Sequence, residues 1–344
     1  MHFQTSNRRV RHNLAKNFAT VAGSLGFTTA AYADKQTEIF RCFAGLLQDQ
    51  EAEVRAVAVE SIARMAQLGG PDLFQAHVAP ALPSLADDPV MEVRSKLAEA
   101  VMDCCDVKTY AVLTDRVVLE DFKPLLEGFL NDEYAEVQLR VLTKLARVAH
   151  LLARMDTVVG SVLAMAKATN WRVRDAVSRL LPHLAEARGI DFFERQLLEL
   201  WLKLLLDQVA EVRFGCISGI AKLLSVAGPA WMQGELIPHY VGIFDESASY
   251  MTRITVVRSF GELVKDGGAS GHALLEDVMS LMLRGLGDKV PNVRIVAAQG
   301  LAKASNRDDA VWASRVQPAL TARVAEDDDV DCKFFAQIAL DACA

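Results

Sequence analysis

The chain has 344 residues, of which 51% are hydrophobic, 24% charged and 7% aromatic, and its net charge is −7. That hydrophobic fraction excludes a disordered chain. The acidic balance argues against nucleic acid or an anionic membrane as the main partner, because binders of phosphate backbones carry a basic stripe.

In chain order, the first feature is a basic start. Arg8, Arg9, Arg11 and Lys16 precede the first acid, Asp34, a bias shared with organelle transit peptides. A second reading takes Val10-Arg11 as the first copy of a motif that recurs along the chain. In that motif an acid is followed by a few loop residues and then by Val-Arg, which opens an apolar-periodic run. It occurs at Asp49–Arg55, Asp88–Arg94, Asp207–Arg213 and Asp288–Arg294. Weaker copies lie at Asn7–Arg11, Asp132–Gln138, Thr169–Arg174, Asp245–Arg253 and Asp329–Lys333. The copies are about 36–44 residues apart, the period of HEAT and armadillo helical pairs.

Each period reads as two helices. Before the motif lies a first helix such as 78–86, and after it a second such as 93–101. There Val93, Leu97, Ala100 and Val101 make a one-sided apolar stripe. Pro80, Pro124, Pro238 and Pro318 stand near the starts of first helices, where a missing N–H costs nothing. Glycine-bearing links such as Gly69-Gly70-Pro71 and Gly228-Pro229 follow second helices. One helical hairpin cannot bury its stripe alone, and stacking does. The pattern therefore predicts an all-α, right-handed α-solenoid (superhelix) of about 8.5 HEAT repeats, a single solenoid over 1–344. It opens at a turn, with the first helix of its opening repeat missing, so the segment up to about Gly26 is expected to fray.

The turn aspartate is expected to accept hydrogen bonds from the free N–H groups of the second helix. For the turn arginine two readings stand side by side: an Asp–Arg ladder from repeat to repeat, or solvated charge worth ~0–1 kcal/mol per pair.

Other chemistry is thin. Cys42, Cys104, Cys105, Cys216, Cys332 and Cys343 form no C-x-x-C pair and sit in apolar segments, as reduced core cysteines do. The seven histidines form no H-x-x-x-H or H-E pair. Glu326-Asp-Asp-Asp329 lacks the glycine and terminal glutamate of a calcium loop and reads as a solvated turn. No P-loop or nucleophile elbow is present. No apolar run of the ~20 residues that cross a bilayer is expected either. The expectation is a protein without enzymatic activity, cofactor or metal.

The run Trp171-Arg-Val-Arg174, Leu181-Pro-His-Leu184, Gly189-Ile-Asp-Phe-Phe193, Trp231, Leu236-Ile-Pro238, Tyr250-Met-Thr-Arg253, Asn292-Val-Arg294 and 329–337 resembles the scaffold (A) subunit of protein phosphatase 2A. The likeness is clearest from about Lys167 to the C terminus and corresponds to that family's seventh through fifteenth repeats. Upstream it holds at repeat level, with 51–55 a good local match. The resemblance implies a scaffold that holds a Ser/Thr phosphatase catalytic subunit through the turns of 167–344, and the reduced cysteines are those expected of a protein of the cytoplasm or nucleus. Carried over by position, that grip involves Trp171, Arg172, Tyr250, Arg253, Val290, Asn292 and Arg294. Ala210 and Arg8 depart from the family, which places aromatics there. With the N-terminal repeats missing, a regulatory B-type subunit is expected to bind weakly or not at all.

Each position also has a plainer reading: Trp171 as a half-buried packing residue, Arg172 as a solvated turn charge, Arg294 as part of the ladder. The competing function is a HEAT adaptor or transport receptor-like protein for a different partner, although no aromatic or acidic ladder stands out on the inner helices.

Overall fold

The computed structural model describes residues 7–25, 33–106, 113–266, 273–303 and 312–342. His2, His272 and Cys343 lie outside them. The described residues form helices and turns and no strand. The chain is an all-α solenoid of stacked helical hairpins, as its period predicts. It divides into two compact units, Met1–Val177 and Ser178–Ala344.

In the first unit the second helices are α1 (Arg8–Ser24), α3 (Ala52–Val59, extended by α4, Ile62–Leu73), α6 (Met91–Cys104) and α8 (Ala135–Leu142). They pack in that order, α1 on α3, α3 on α6 and α6 on α8. The first helices are α2 (Ala33–Leu47), α5 (Leu82–Ala86), α7 (Lys123–Leu130) and α9 (Asp156–Met165). The boundary between units falls inside the next second helix, α10 (Trp171–Arg188). The second unit holds first helices α11 (Leu198–Leu205), α13 (Ile237–Glu246), α15 (Leu275–Leu286) and α17 (Gln317–Glu326). Its second helices α12 (Ala210–Trp231), α14 (Tyr250–Asp266), α16 (Pro291–Ala302) and α18 (Val330–Asp341) pack one on the next.

Four local features depart from the sequence reading. The opening helix packs well. Ala15, Phe18, Ala19 and Ala22 of α1 are buried, the Phe18 ring lies 5.4 Å from that of Phe43, and Arg11 bridges Asp49. These contacts hold α1 against the helices that follow it.

The prolines stand in the first turns of their helices, as expected, and a bend that the sequence reading did not include lies just before them. A widened π-type turn immediately precedes each: Phe74–Val78 before Pro80, Val118–Phe122 before Pro124, Met232–Leu236 before Pro238 and Trp312–Val316 before Pro318. A proline ring clashes with the carbonyl four residues back and offers no N–H, and opening the turn relieves both. Phe193–Leu197 makes the same turn before Leu198 without a proline, so stacking also favours the bend.

Between α8 and α9 the chain runs as a 3-10 helix, Leu145–Arg154, with Val148 off helical geometry. Here charge pairs tie the layers together. Arg140 and Lys144 meet Glu99 at 2.8 and 2.9 Å, and Lys144 and Arg147 meet Asp103 at 2.8 and 3.0 Å.

Finally, Ala210–Glu246 is a helical stretch of 37 residues, kinked at Gly228, that is long and apolar enough, by length and composition, to cross a membrane. No such run was expected. It breaks at Gly228 (φ 78°), where α12 hands over to the following turn, and Val212, Cys216, Ile220 and Leu223 on α12 are buried in the unit's core.

Candidate functional site: the turn ladder and a groove across the second helices

Every second helix begins three residues before the motif's arginine position. The first residues are Arg8, Ala52, Met91, Ala135, Trp171, Ala210, Tyr250, Pro291 and Val330. The arginine position itself is filled by Arg11, Arg55, Arg94, Gln138, Arg174, Arg213, Arg253, Arg294 and Lys333. This register fixes where each turn side chain stands.

The arginines form the repeat-to-repeat ladder. Arg11 meets Asp49 through Nε–Oδ2 at 2.6 Å and Nη2–Oδ1 at 3.1 Å. Arg55 meets Asp88 at 2.6 and 3.0 Å, Arg94 meets Asp132 at 2.7 and 3.2 Å, and Arg253 meets Asp288 at 2.6 and 2.9 Å. Arg294 meets Asp327 at 2.8 and 2.6 Å. Each pair is the bidentate fork for which guanidinium is shaped. The third nitrogen reaches back six residues into its own turn, as from Arg55 Nη1 to the Asp49 carbonyl (2.7 Å) and from Arg294 Nη1 to the Asp288 carbonyl (2.9 Å).

Asp329 caps its helix as expected, accepting from the Cys332 amide at 2.9 Å, but the aspartates of the ladder do not. Asp49, Asp88, Asp132, Asp207, Asp288 and Asp327 each accept from the backbone amide two residues on. In every case that amide belongs to the N-cap residue itself. The carboxylate therefore closes the turn and leaves its other edge to the previous repeat's arginine. Burial pushes Asp49, Asp132, Asp288 and Asp327 up, but the guanidinium and amide hydrogen bonds outweigh it and hold each carboxyl below its ordinary value.

Two rungs are altered. Gln138 replaces an arginine and donates only to the Asp132 carbonyl (2.7 Å), and Ala168 fills the following carboxylate position. Arg213 keeps its charge and donates to the carbonyls of Asp207 (2.8 Å) and Gln208 (3.1 Å), but the next carboxylate position is Ser247. That register is fixed by Arg253 Nη1, which donates to the Ser247 carbonyl at 3.0 Å. Asp245, taken from the sequence as this turn's acid, instead pairs with Arg284.

The predicted contact residues separate accordingly. In the first unit Trp171 is half-buried at the start of α10, and the exposed Arg172 stacks its guanidinium 4.6 Å from the Trp171 ring centroid. In the second unit Tyr250 is 42% exposed at the equivalent corner and Asn292 is exposed one residue into α16. Val290 is the half-buried N-cap of α16, held by Asp288. Arg253 and Arg294 are different. Arg253 is only 6% exposed, and both guanidiniums are committed to the ladder, so they position the turns rather than offer themselves at the surface.

Tyr250 and Asn292 share a groove of about 320 Å³ across α12, α14 and α16. Its other walls include Arg213, Phe214, Met251, Arg258 and Ile295, and none of these appeared among the sequence candidates. The missed signal is the residue after each ladder arginine. In the second unit it reads Phe214, Ile254, Ile295 and Phe334, whereas in the first it reads His12, Ala56, Ser95, Leu139 and Asp175.

Behind these surfaces the core offers little reactive chemistry. Cys42, Cys104, Cys105, Cys216 and Cys332 are free thiols. Burial pushes Cys105 up to about 12 and Cys332 up to about 11, which keeps both protonated at neutral pH. Among the described residues no group of three or more His, Cys, Asp or Glu side chains is placed to hold a metal.

Comparison with known proteins fits this architecture. A family model described as a PPP2R1A-like HEAT repeat matches residues 33–107, within the first unit and upstream of the stretch from Lys167 where the resemblance was clearest. The chain is 26% identical over 269 residues to serine/threonine-protein phosphatase 4 regulatory subunit 1 of Homo sapiens, and equally to that of Rattus norvegicus. The alignment takes in 74% of this chain and 28% of the relative, so the chain spans just over a quarter of the length of these proteins. Among solved structures, Kap95p with RanGDP superposes with a TM-score of 0.61 at 11% identity, covering 89% of this chain and 40% of that one. A Kap121p mutant does so with a TM-score of 0.55 at 14% identity, covering 99% and 40%. These two likenesses concern the fold alone.

Proposed function

We propose that the chain is a non-catalytic scaffold of a Ser/Thr phosphatase complex and holds the catalytic subunit through its turns. The observation that carries this reading is the similarity over 74% of the chain to a phosphatase 4 regulatory subunit. The geometry supports it. The ladder fixes the backbone of each turn, and a fixed turn presents its side chains at little entropic cost on binding. Trp171 under the Arg172 guanidinium, and Tyr250 beside Asn292, have the composition of interface anchors. Arg253, Arg294 and Val290 contribute by holding those turns. The catalytic subunit is of the phosphatase 2A or 4 type, and a regulatory B-type subunit binds weakly or not at all.

Capture on immobilised chain from an extract of its own cells tests the reading. A Ser/Thr phosphatase catalytic subunit should be retained, and its absence from the eluate would refute the proposal. Trp171→Ala should lower retention by about 1–3 kcal/mol of binding free energy with unchanged helical content. Unchanged retention removes Trp171 from the contact surface.

A further inference from the structure

We infer that the groove across α12, α14 and α16 binds a short extended segment of a partner chain in which apolar side chains alternate with carboxylates. This inference does not rest on the phosphatase reading, and three observations carry it.

The first is the apolar floor. Phe214, Tyr250 and Met251 are 47%, 42% and 42% exposed, and all three line this one groove together with the deeper Ile254 and Ile295. Large apolar side chains clustered in a concavity mark a binding site, whereas scattered ones do not.

The second is charge. No carboxylate lines the groove, although the chain as a whole carries −7. Two arginines do. Arg258 is exposed, one helical turn along α14 from Ile254. Arg213 is the one ladder arginine whose next carboxylate position is a serine, Ser247, and its guanidinium contacts only carbonyl oxygens. Elsewhere the same guanidinium takes a bidentate carboxylate. The rung beside the groove therefore lacks the acid that the ladder holds elsewhere, Arg213 lines the groove without it, and a partner's carboxylate supplies it.

The third is shape. Packed helices lie 8–10 Å apart, so three second helices span ~20 Å, the reach of about six residues of extended chain. Phe214, Ile254 and Ile295 make one row across the groove, and Arg258 and Gln299 make a second row one turn further along the helices. Extended chain turns alternate side chains to opposite sides. Apolar side chains then meet the first row while carboxylates meet the arginines.

Selection of phage-displayed random twelve-residue peptides on the full chain tests this. Enriched peptides should combine Leu, Ile or Phe with Asp or Glu. Their affinity, read by fluorescence anisotropy with labelled synthetic copies, should fall at least tenfold in Arg258→Glu and at least fivefold in Phe214→Ser. Ser247→Asp is the decisive variant. It fills the empty rung, so it should raise the thermal midpoint while weakening the peptide at least fivefold, which a loss of folding cannot mimic. The proposal is overturned by an absence of enriched peptides, by enrichment of basic ones, or by binding indifferent to all three substitutions. A dimer of the chain that Arg258→Glu dissolves would overturn it too, because the groove would then face a second copy. Catalytic-subunit capture that survives Arg258→Glu while the peptide is lost leaves the proposed function standing apart from this one.

Discussion

At the scale of single residues the turn ladder decides most of the energetics. The Arg253 and Asp288 side chains are each 7% exposed and joined by a two-pronged fork. Arg253→Ala leaves Asp288 buried with half its partners gone, and should cost about 2–3 kcal/mol by urea denaturation. Arg253→Lys should recover little of this, since a point charge cannot reproduce the fork. A double-mutant cycle with Asp288→Ala isolates the pair. The same carboxylates set the acid limit. Their folded pKa values lie below the ordinary 3.8, so their stabilisation is fully present above that value and is lost as pH falls through the lower folded values. Unfolding free energy should therefore drop below about pH 4, and Asp49→Asn, Asp132→Asn, Asp288→Asn and Asp327→Asn together should flatten that drop in a pH series of denaturant midpoints.

At the scale of elements, bends and register matter more than helix propensity. Gly70, Gly189 and Gly228 have φ of 71°, 86° and 78° and join second helices to the chain that follows. Gly228→Ala meets open space but an unfavourable backbone, and should destabilise by about 1–2 kcal/mol in thermal unfolding. Between α14 and α16 the reason for glycine is contact: a Cβ on Gly261 would stand 3.3 Å from the Gly300 Cα, so the two helices touch backbone to backbone behind the groove. The neutral rung of the first unit offers a gain. Gln138→Arg with Ala168→Asp rebuilds the fork seen at Arg94–Asp132 and should raise stability by about 1 kcal/mol beyond the sum of the single changes. A purely additive result would show that the two turns do not face one another as the neighbouring rungs do. Packing of α1 on α3 predicts slow hydrogen exchange for the amides of 15–22, against the fraying that the sequence alone implied.

At the scale of the molecule, the helical pairs, their period and the charged turn were all legible in the sequence. A repeat imposes the same local problem nine times, and the answer, Asp then Val-Arg, is written in full four times and in weaker form five times. The resemblance to a phosphatase scaffold rested on several of those turns and on residues such as Leu181–Leu184 and Gly189–Phe193 between them. The groove was not legible. Phe214, Ile254 and Ile295 lie about forty residues apart and become one row only when α12, α14 and α16 stack in register. The empty rung was hidden further, because Asp245 stands two residues before the true position and reads as the missing acid.

By itself the sequence determined the class of fold, the pairing of helices and the chemistry of the turns, because short-range periodicity and local hydrogen bonding suffice for these. Tertiary structure alone decided which arginines are closed into forks, which one is left facing a groove without its acid, and which apolar side chains assemble there. Those outcomes depend on the partner that each side chain meets one repeat away, and that distance is set by packing and not by position along the chain.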